Sequence, residues 1–101
     1  MMYRTVILLP AKEDIREAAL WYNKKQKGLG KRFTFQVREK IHFIKRYPQA
    51  NSVCYDDVRT AILSVFPFMI HYSIDNQTKT IIIIAVLHTS RNPELWRKRK
   101  Q

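Results

Sequence analysis

The sequence has little cysteine, little glycine and no long apolar run, and each shortage excludes a class of protein. One cysteine, Cys54, among 101 residues cannot form a disulfide within the chain, and this usage suits a reducing compartment. The longest apolar run, Ile81–Leu87, has seven residues, whereas a membrane span needs roughly 18. Met1–Arg4 does not have the form of a signal peptide. We therefore expect a cytoplasmic protein with no membrane partner.

The content of glycine and apolar residues indicates a folded chain rather than a disordered one. Only 2 residues are glycine and 46% are hydrophobic. A chain of 101 residues is expected to form one domain around one core. We assign residues 1–96 to a single domain and residues 97–101 to a basic C-terminal tail, in which Arg97–Lys100 is expected to be solvated.

Acidic residues are also scarce. There are 8 of them against 19 lysines and arginines, which gives a formal net charge of +11. Such an excess costs self-repulsion and indicates an acidic partner, which can be nucleic acid, an acidic protein or an anionic surface. The alternative is a basic surface that serves only solubility. Charge alone does not choose among these partners.

Hydrophobic periodicity predicts the element order β-α-α-β-β-β, with one further short strand ahead of the last three strands. The period changes from strand-like to helical near Pro10, which either ends the first strand or occupies the first turn of the helix. The predicted strands are Tyr3–Leu9, the short Asn51–Tyr55, Val58–Phe66, Phe68–Asp75 and Lys79–Leu87, and the predicted helices run from Ala11 to the Gly28–Gly30 turn and from Lys31 to Tyr47.

The apolar run Ile81–Leu87 determines the predicted architecture. It is too continuous for a half-exposed strand, so it predicts a strand that is buried on both faces. The two helices would form a hairpin across one face of a mainly antiparallel sheet, which is an α+β fold. We expect the other face to be less completely covered and to form an open, concave surface flanked by basic residues. That surface is a candidate binding site.

The second helix carries two aromatic residues away from its apolar stripe. Phe35 falls nearly opposite the stripe and Phe43 lies on its flank. Either side chain can pack against the first helix or remain exposed for a partner. Packing against the first helix is the interpretation that we favour.

Few residues suggest chemistry. His88 follows the buried strand, where an imidazole can act as a general acid or base or can stabilise the strand end by hydrogen bonding, and we favour the structural role. The single cysteine and the three histidines lack metal-ligand spacing, so we expect no metal and no cofactor. Arg59 and Arg91 can hold phosphates or carboxylates. We interpret Trp96 as a hydrophobic plug rather than a stacking platform for bases.

Several short motifs, each weak alone, form an ordered set along nearly the whole chain. They are Ala11–Ile15, Trp21–Tyr22, the turn Gly28–Gly30 before Phe33, Phe66–Tyr72, Ala85–Pro93, and finally Trp96 and Arg99. In this order they resemble the ParE/RelE superfamily, the toxins of bacterial type II toxin–antitoxin (plasmid stabilisation) modules. The resemblance implies an antiparallel sheet covered by an N-terminal helical hairpin, in agreement with the predicted elements.

The resemblance implies one of two activities. ParE-like members are linked to poisoning of DNA gyrase without known nuclease chemistry, whereas RelE-like members cleave mRNA on the ribosome. Where RelE-type members carry a strand arginine and a C-terminal tyrosine, this sequence has Phe68 and Trp96. We therefore favour a ParE-like toxin that is not an enzyme. If the chain is RelE-like instead, His88, Arg91 and Arg59 would form its catalytic cluster. A third hypothesis is a degenerate member that only binds its antitoxin.

All three hypotheses imply an acidic antitoxin that lays an amphipathic helix or strand on the basic, apolar surface of this chain. DNA gyrase is the further partner that a ParE-like activity implies, and the ribosome with its mRNA is the partner in the alternative. The candidate partner-binding residues are Trp21, Phe35, Arg59, Met69, Trp96, Arg97 and Arg99.

Overall fold

The computed structural model describes residues 3–94, which form two helices and five strands in the order β-α-α-β-β-β-β. This order confirms the predicted one, with the short additional strand present before the last three strands. The elements are β1 Arg4–Ile7, α1 Leu9–Lys25, α2 Leu29–Arg46, β2 Val53–Tyr55, β3 Val58–Ile62, β4 Phe68–Asp75 and β5 Thr80–His88. Trp96 and the basic tail lie outside the described residues. Between residues 3 and 94, neither helix is long and apolar enough to cross a membrane.

The five strands form one sheet in the order β1-β5-β4-β3-β2. β1 runs parallel to β5, and the other three pairs are antiparallel. After the helical hairpin the chain enters β2 in the direction opposite to β1. The three antiparallel pairs that follow then make β5 parallel to β1. The predicted fold is therefore confirmed, and the long strand β5 lies between β1 and β4, as expected for the most apolar segment.

Proline and glycine set the ends of the helical hairpin. Pro10 lies in the first turn of α1, where its missing N–H costs no hydrogen bond. Gly28 precedes α2 with a φ of 87°, a left-handed conformation that glycine adopts without strain. Its N–H donates to Oδ1 of Asn23 at 2.8 Å. Gly30 lies in the first turn of α2 and against the backbone of α1, which fixes the distance between the helices.

The main core lies between the hairpin and the sheet. Its centre is an aromatic cluster in which the ring of Phe33 lies 5.4 Å from Tyr22, 5.2 Å from Phe66 and 5.0 Å from Phe68, measured between ring centroids. The pairs with Phe66 and Phe68 are edge-to-face, and such pairs add to the free energy gained by burying the rings. The other buried residues of this core are Ala11, Ala18, Val37, Ile44, Ala61, Leu63, Ile70, Tyr72, Ile81, Ile83 and Val86.

The sheet face that points away from the helices has its own buried cluster. A β-bulge produces part of it: His71 pairs with Ala85 and Tyr72 pairs with Ile83, so Ile84 is an extra residue in β5. As a result Ile84 and Ala85 face the same side, together with Tyr55, Val58 and Leu87. All five residues are no more than 6% exposed. The expectation of an open, concave face is therefore wrong here, whereas burial of β5 on both faces is confirmed.

The two aromatic residues off the apolar stripe of α2 do not pack against α1. Phe35 is 58% exposed and Phe43 is 45% exposed. The ring of Phe43 instead lies 5.2 Å from that of Tyr47, at the end of the same helix. The packing that we favoured is therefore wrong. The physical reason is the position of Phe35 around the helix: it lies about 200° from the buried Phe33, so it points away from the core. α1 and α2 approach through small residues, Ala19 and Gly30 among them.

Candidate functional site

A groove of about 530 Å³ lies between α1 and the carboxyl end of β5. α1 contributes an acidic and aromatic wall, and the start of β4 and the end of β5 contribute an apolar floor and a basic end. The residues that line this groove are Asp14, Glu17, Ala18, Trp21, Tyr22, Pro67, Phe68, Val86, Leu87, His88 and Arg91. It combines apolar lining with a few polar groups, as ligand and partner sites commonly do.

His88 closes the groove at the end of β5, opposite Phe68 in the strand register. Its Nδ1 accepts the backbone N–H of Ser90 at 3.1 Å and lies 2.8 Å from Oγ of the same serine. Its ring lies edge-on to Phe68, with 5.3 Å between the centroids. Since Nδ1 accepts a hydrogen bond, the neutral imidazole carries its proton on Nε2. The ring therefore stabilises the turn and presents a donor, not a base, on its other nitrogen.

The polar groups around the groove come from both of its walls. The backbone N–H of Arg91 donates to the carbonyl of His88 at 3.0 Å, and this bond holds the exposed Arg91 beside the groove. On the opposite wall, Oδ2 of Asp14 accepts the backbone N–H of Val86 at 3.0 Å. β1 pairs with β5 only as far as Ile83, so this carboxylate satisfies a strand donor beyond the end of β1.

Trp21 is the most prominent apolar group of the groove. Its side chain is 55% exposed, and its ring meets that of Tyr22 edge-on at 5.1 Å. The ammonium of Lys25 lies 4.9 Å from the centroid of the indole ring, a favourable cation–π geometry. Burial raises the pKa of Tyr22 above its ordinary value. A half-exposed tryptophan on a rigid helix is suited to anchoring a protein partner.

The structure brings His88 and Arg91 together but places Arg59 elsewhere. Arg59 lies on β3 opposite Tyr72, and its guanidinium donates to the backbone carbonyl of Asn51. Tyr72 is four residues along β4 from Phe68, the residue that pairs with His88, which is a distance of about 13 Å along the strand. The three residues of the nuclease hypothesis therefore do not form one cluster. Arg59 instead holds the segment before β2 against the sheet.

The remaining predicted contact residues are dispersed. Trp21 lies in the groove, and Phe35 lies on the outer face of α2. Met69 is only 8% exposed, which leaves little of its side chain for a partner. Trp96, Arg97 and Arg99 lie outside the described residues. Between residues 3 and 94, no three His, Cys, Asp or Glu side chains are grouped so that they could hold a metal ion.

Two structural features of the groove have no signal in the sequence. The bond from Val86 to Asp14 joins residues 72 positions apart, and no local pattern indicates it. Phe68 and Tyr22 line the groove because both pack on Phe33, but their apolar character alone predicts only core positions. The motif that ends in His88 and Arg91 is the useful signal, since polar residues directly after a buried strand indicate this end of the sheet.

We expect Tyr72→Phe to lower the free energy of unfolding by about 1–2 kcal/mol, because the carbonyl of Pro48 would lose its donor. The Tyr72 hydroxyl donates to that carbonyl at 2.8 Å and accepts from Nδ2 of Asn51 at 3.3 Å. Urea unfolding followed by circular dichroism measures the change. Tyr47→Phe, at an exposed tyrosine, is the control and should leave stability unchanged.

Tyr72→Phe should also reduce the loss of stability that the protein shows at alkaline pH. Burial raises the pKa of Tyr72 above its ordinary value, so the folded protein holds the phenol proton more tightly than the unfolded chain does. The stabilising free energy that follows from this difference is fully present below the tyrosine pKa of the unfolded chain, about 10. It is lost as the pH rises through the higher folded pKa. Equal alkaline losses in the wild type and Tyr72→Phe would contradict this assignment.

Three solved toxin structures share this fold at low sequence identity. The chromosomal ParDE toxin–antitoxin system from P. aeruginosa matches with a TM-score of 0.75 and 16% identity, over 86% of this chain and 96% of that chain. The RelBE2 toxin–antitoxin complex from Mycobacterium tuberculosis gives 0.65 and 17%, over 87% and 99%. The isolated RelE toxin of E. coli gives 0.66 and 17%, over 97% and 96%. Such identities show a common fold and nothing finer.

Sequence comparison identifies the family. A search of curated proteins finds no significant match. The profile of the ParE toxin of the type II toxin–antitoxin system parDE, however, matches residues 6–93. The match spans both helices, the end of β1, the strands β2 to β5 and the turn after β5 that holds Arg91. The chain therefore belongs to the ParE toxin family of type II toxin–antitoxin systems.

Proposed function

We propose that this chain is a cytoplasmic toxin that inhibits growth by binding a protein, DNA gyrase, and that an acidic antitoxin neutralises it. The observation that carries the proposal is the separation of Arg59 from His88 and Arg91. Arg59 is bound to the carbonyl of Asn51, two strands away from β5. Among residues 3–94, the groove therefore offers an aromatic surface bordered by charges, and Arg59 does not join His88 and Arg91 there.

The chemistry of RNA cleavage explains why this separation matters. Cleavage by the 2′-hydroxyl needs a base for that hydroxyl, positive charge on the phosphate and an acid for the leaving oxygen. In the groove, Arg91 supplies charge, and Nε2–H of His88 supplies a donor. The carboxylates that line it, Asp14 and Glu17, lie on α1, and Asp14 already accepts the N–H of Val86. Acidic side chains would also repel an RNA phosphate. The groove thus favours a protein partner over RNA.

The net charge of +11 supports the second part of the proposal. An acidic antitoxin would associate quickly with such a surface, and the gain in association rate would fall as salt is added. Gyrase and a newly made antitoxin are both cytoplasmic, which agrees with a chain that has a single exposed thiol, Cys54.

The purified protein is expected to inhibit negative supercoiling by gyrase, and Trp21→Ala should raise the inhibitory concentration about tenfold or more, because an exposed aromatic anchor is lost. A gel assay of plasmid supercoiling measures the effect. Leu9→Ala is the matched control, since Leu9 lies at the other end of α1 and is 70% exposed. Its inhibitory concentration should stay within about twofold of that of the wild type.

A substitution of His88 distinguishes this proposal from the nuclease alternative. The observation that favours the alternative is that His88 and Arg91 line one groove. In His88→Asn, the side-chain oxygen can still accept the N–H two residues on, as asparagine commonly does in turns. Inhibition of supercoiling should therefore persist. Ribosome-dependent mRNA cleavage that disappears in His88→Asn would establish the nuclease instead. Absence of both activities, with antitoxin binding intact, would establish a degenerate member that only binds its antitoxin.

A further inference from the structure

The end of the sheet opposite the groove carries a second surface, which we call the tyrosine site. It consists of Tyr3, directly before β1, Lys79, directly before β5, and Arg46 and Tyr47 at the end of α2. β5 has nine residues and ends at His88, which is about 30 Å at about 3.3 Å per residue. The tyrosine site is therefore remote from the groove, and a role in the groove does not account for it.

Two tyrosine rings line one depression at this surface. The depression has a volume of about 390 Å³, and its other lining residues are Pro48, Gln49 and Ala50. Tyr47 is 51% exposed, and its ring centroid lies 5.2 Å from that of the exposed Phe43, one turn earlier in α2. The volume falls within the range of sites that hold small organic groups. The depression therefore offers aromatic faces on which a planar group can stack.

A cation lies over each of the two tyrosine rings. The ammonium of Lys79 lies 5.5 Å from the ring centroid of Tyr3. The guanidinium carbon of Arg46 lies 5.7 Å from the ring centroid of Tyr47. Between residues 3 and 94, neither cation forms a salt bridge. Asp75, the acidic residue closest to Lys79 in sequence, accepts two backbone N–H groups of its own turn. Each cation is thus placed to meet an anion beside an aromatic face.

Hydrogen bonds hold both walls of the depression in place. On one wall, the buried hydroxyl of Tyr72 donates to the carbonyl of Pro48 at 2.8 Å, and this bond fixes the chain directly after Tyr47. On the other wall, the backbone N–H of Arg4 donates to the carbonyl of Lys79 at 3.0 Å, which joins the start of β1 to the start of β5. A site whose backbone is already fixed loses little conformational entropy when a ligand binds.

The combination of ring faces and cations decides which partner fits. In single-stranded nucleic acid the bases can stack on tyrosine rings while the phosphates meet neighbouring cations. A duplex would satisfy the cations, but its bases are stacked on one another and cannot reach the rings. An acidic peptide would also use the cations and leave the ring faces unused. Because rings and cations read base faces and phosphates rather than the sugar, RNA and DNA should bind alike.

We infer that the tyrosine site binds single-stranded nucleic acid, with bases stacked on Tyr3 and Tyr47 and phosphates beside Lys79 and Arg46. Such binding is tolerant of base sequence, since every base has an aromatic face. It gives a partner to part of the net charge of +11, and it goes beyond the proposed function without resting on it. The site and the groove lie at opposite ends of β5, so substitutions at one should leave binding at the other unchanged.

Fluorescence anisotropy with a labelled oligothymidylate of about 12 nucleotides tests the inference. Tyr47→Ala should weaken binding about tenfold relative to the wild-type chain, which is the loss expected for one base–aromatic stack. Tyr47→Phe keeps an aromatic face and should restore the affinity to within about twofold of the wild type. Lys79→Glu should weaken binding about tenfold, whereas Lys12→Glu, the same charge reversal at an exposed position of α1, should change it less than about threefold.

The dependence of the affinity on salt separates stacking from charge. For a single strand, the logarithm of the affinity falls with the logarithm of the salt concentration, with a slope of about −0.7 for each neutralised phosphate. Tyr47→Ala should lower the affinity at every salt concentration and leave this slope unchanged. Lys79→Glu should make the slope shallower by about 0.7 or more, because a phosphate contact is lost.

Four results would overturn the inference. The first is equal affinity of Tyr47→Ala and the wild type, and the second is equal losses in Lys79→Glu and Lys12→Glu. The third is equal affinity for a duplex of the same length, or equal displacement by polyglutamate, which would reduce the contact to charge alone. The fourth is a preference of more than about tenfold between oligothymidylate and oligouridylate, since the sugar would then be read. None of these involves gyrase, so a wild type that fails to inhibit supercoiling would reject the proposed function and leave the tyrosine site standing.

Discussion

Gly30→Ala is expected to lower the free energy of unfolding by about 3 kcal/mol, because the added methyl group has no space. A Cβ at Gly30 would lie 2.2 Å from the carbonyl oxygen of Ala19 and 3.1 Å from Cβ of Asn23. The first of these atoms belongs to the backbone of α1, so the clash can be relieved only if the two helices move apart. Urea unfolding followed by far-ultraviolet circular dichroism gives the free energy.

Gly28→Ala is the control, since the same methyl group is added two residues earlier. Nothing lies within 4 Å of a Cβ at Gly28, but its φ of +87° is a left-handed conformation. The cost there should be about 1 kcal/mol, from backbone strain alone. If Gly30→Ala were no more costly than Gly28→Ala, the close approach of α1 and α2 would not be a determinant of stability.

These two glycines also show what the sequence could predict. The turn between the helices has a local signal, because glycine at the end of an amphipathic stretch marks a helix end whatever surrounds it. The order of helices and strands has a similar signal in the periodicity of apolar residues. That Gly30 belongs to α2 and contacts Ala19 has no such signal, since it depends on how two helices pack. Local chemistry thus gives the elements, and their boundaries and contacts come from packing.

The expectation of an open sheet face failed for a related reason. In Ile81–Leu87 every residue is apolar, so the alternation that would reveal a bulge is absent. The bulge at Ile84 turns two successive residues, Ile84 and Ala85, to the side away from the helices. This contributes to the second buried cluster, where an open surface was expected. A continuous apolar run predicts burial but not how many residues each face receives.

The candidate site was predictable only in part. His88 and Arg91 are three residues apart and follow one strand, so their proximity in the groove follows from the sequence. The distance of Arg59 from them depends on the register, which places Arg59 opposite Tyr72 and His88 opposite Phe68. The segment 63–67 joins β3 to β4 and sets the first pairing, whereas the turn at Asn76–Lys79 and the bulge set the second. The sequence alone specified neither the bulge nor its position.

Phe33→Ala, in the core beneath the groove, is expected to lower the free energy of unfolding by about 3–5 kcal/mol. Phe33 is fully buried, and its ring contacts those of Tyr22, Phe66 and Phe68 at 5.4, 5.2 and 5.0 Å between centroids. Loss of the ring removes three aromatic pairs and leaves a cavity between α2 and the sheet. The same urea titration measures this change.

Phe35→Ala is a matched control with an opposite pattern of effects. It removes the same ring two residues further along α2, but from a side chain that is 58% exposed, so stability should fall by less than about 0.5 kcal/mol. Phe33→Ala should also impair inhibition of gyrase at temperatures where the protein remains folded, because Tyr22 and Phe68 line the groove and lose their common support. Phe35→Ala should retain inhibition, because its side chain does not line the groove. If Phe33→Ala inhibited gyrase as well as the wild type while measurably destabilised, the groove walls would not contribute to target binding, and the site of gyrase contact would have to lie elsewhere.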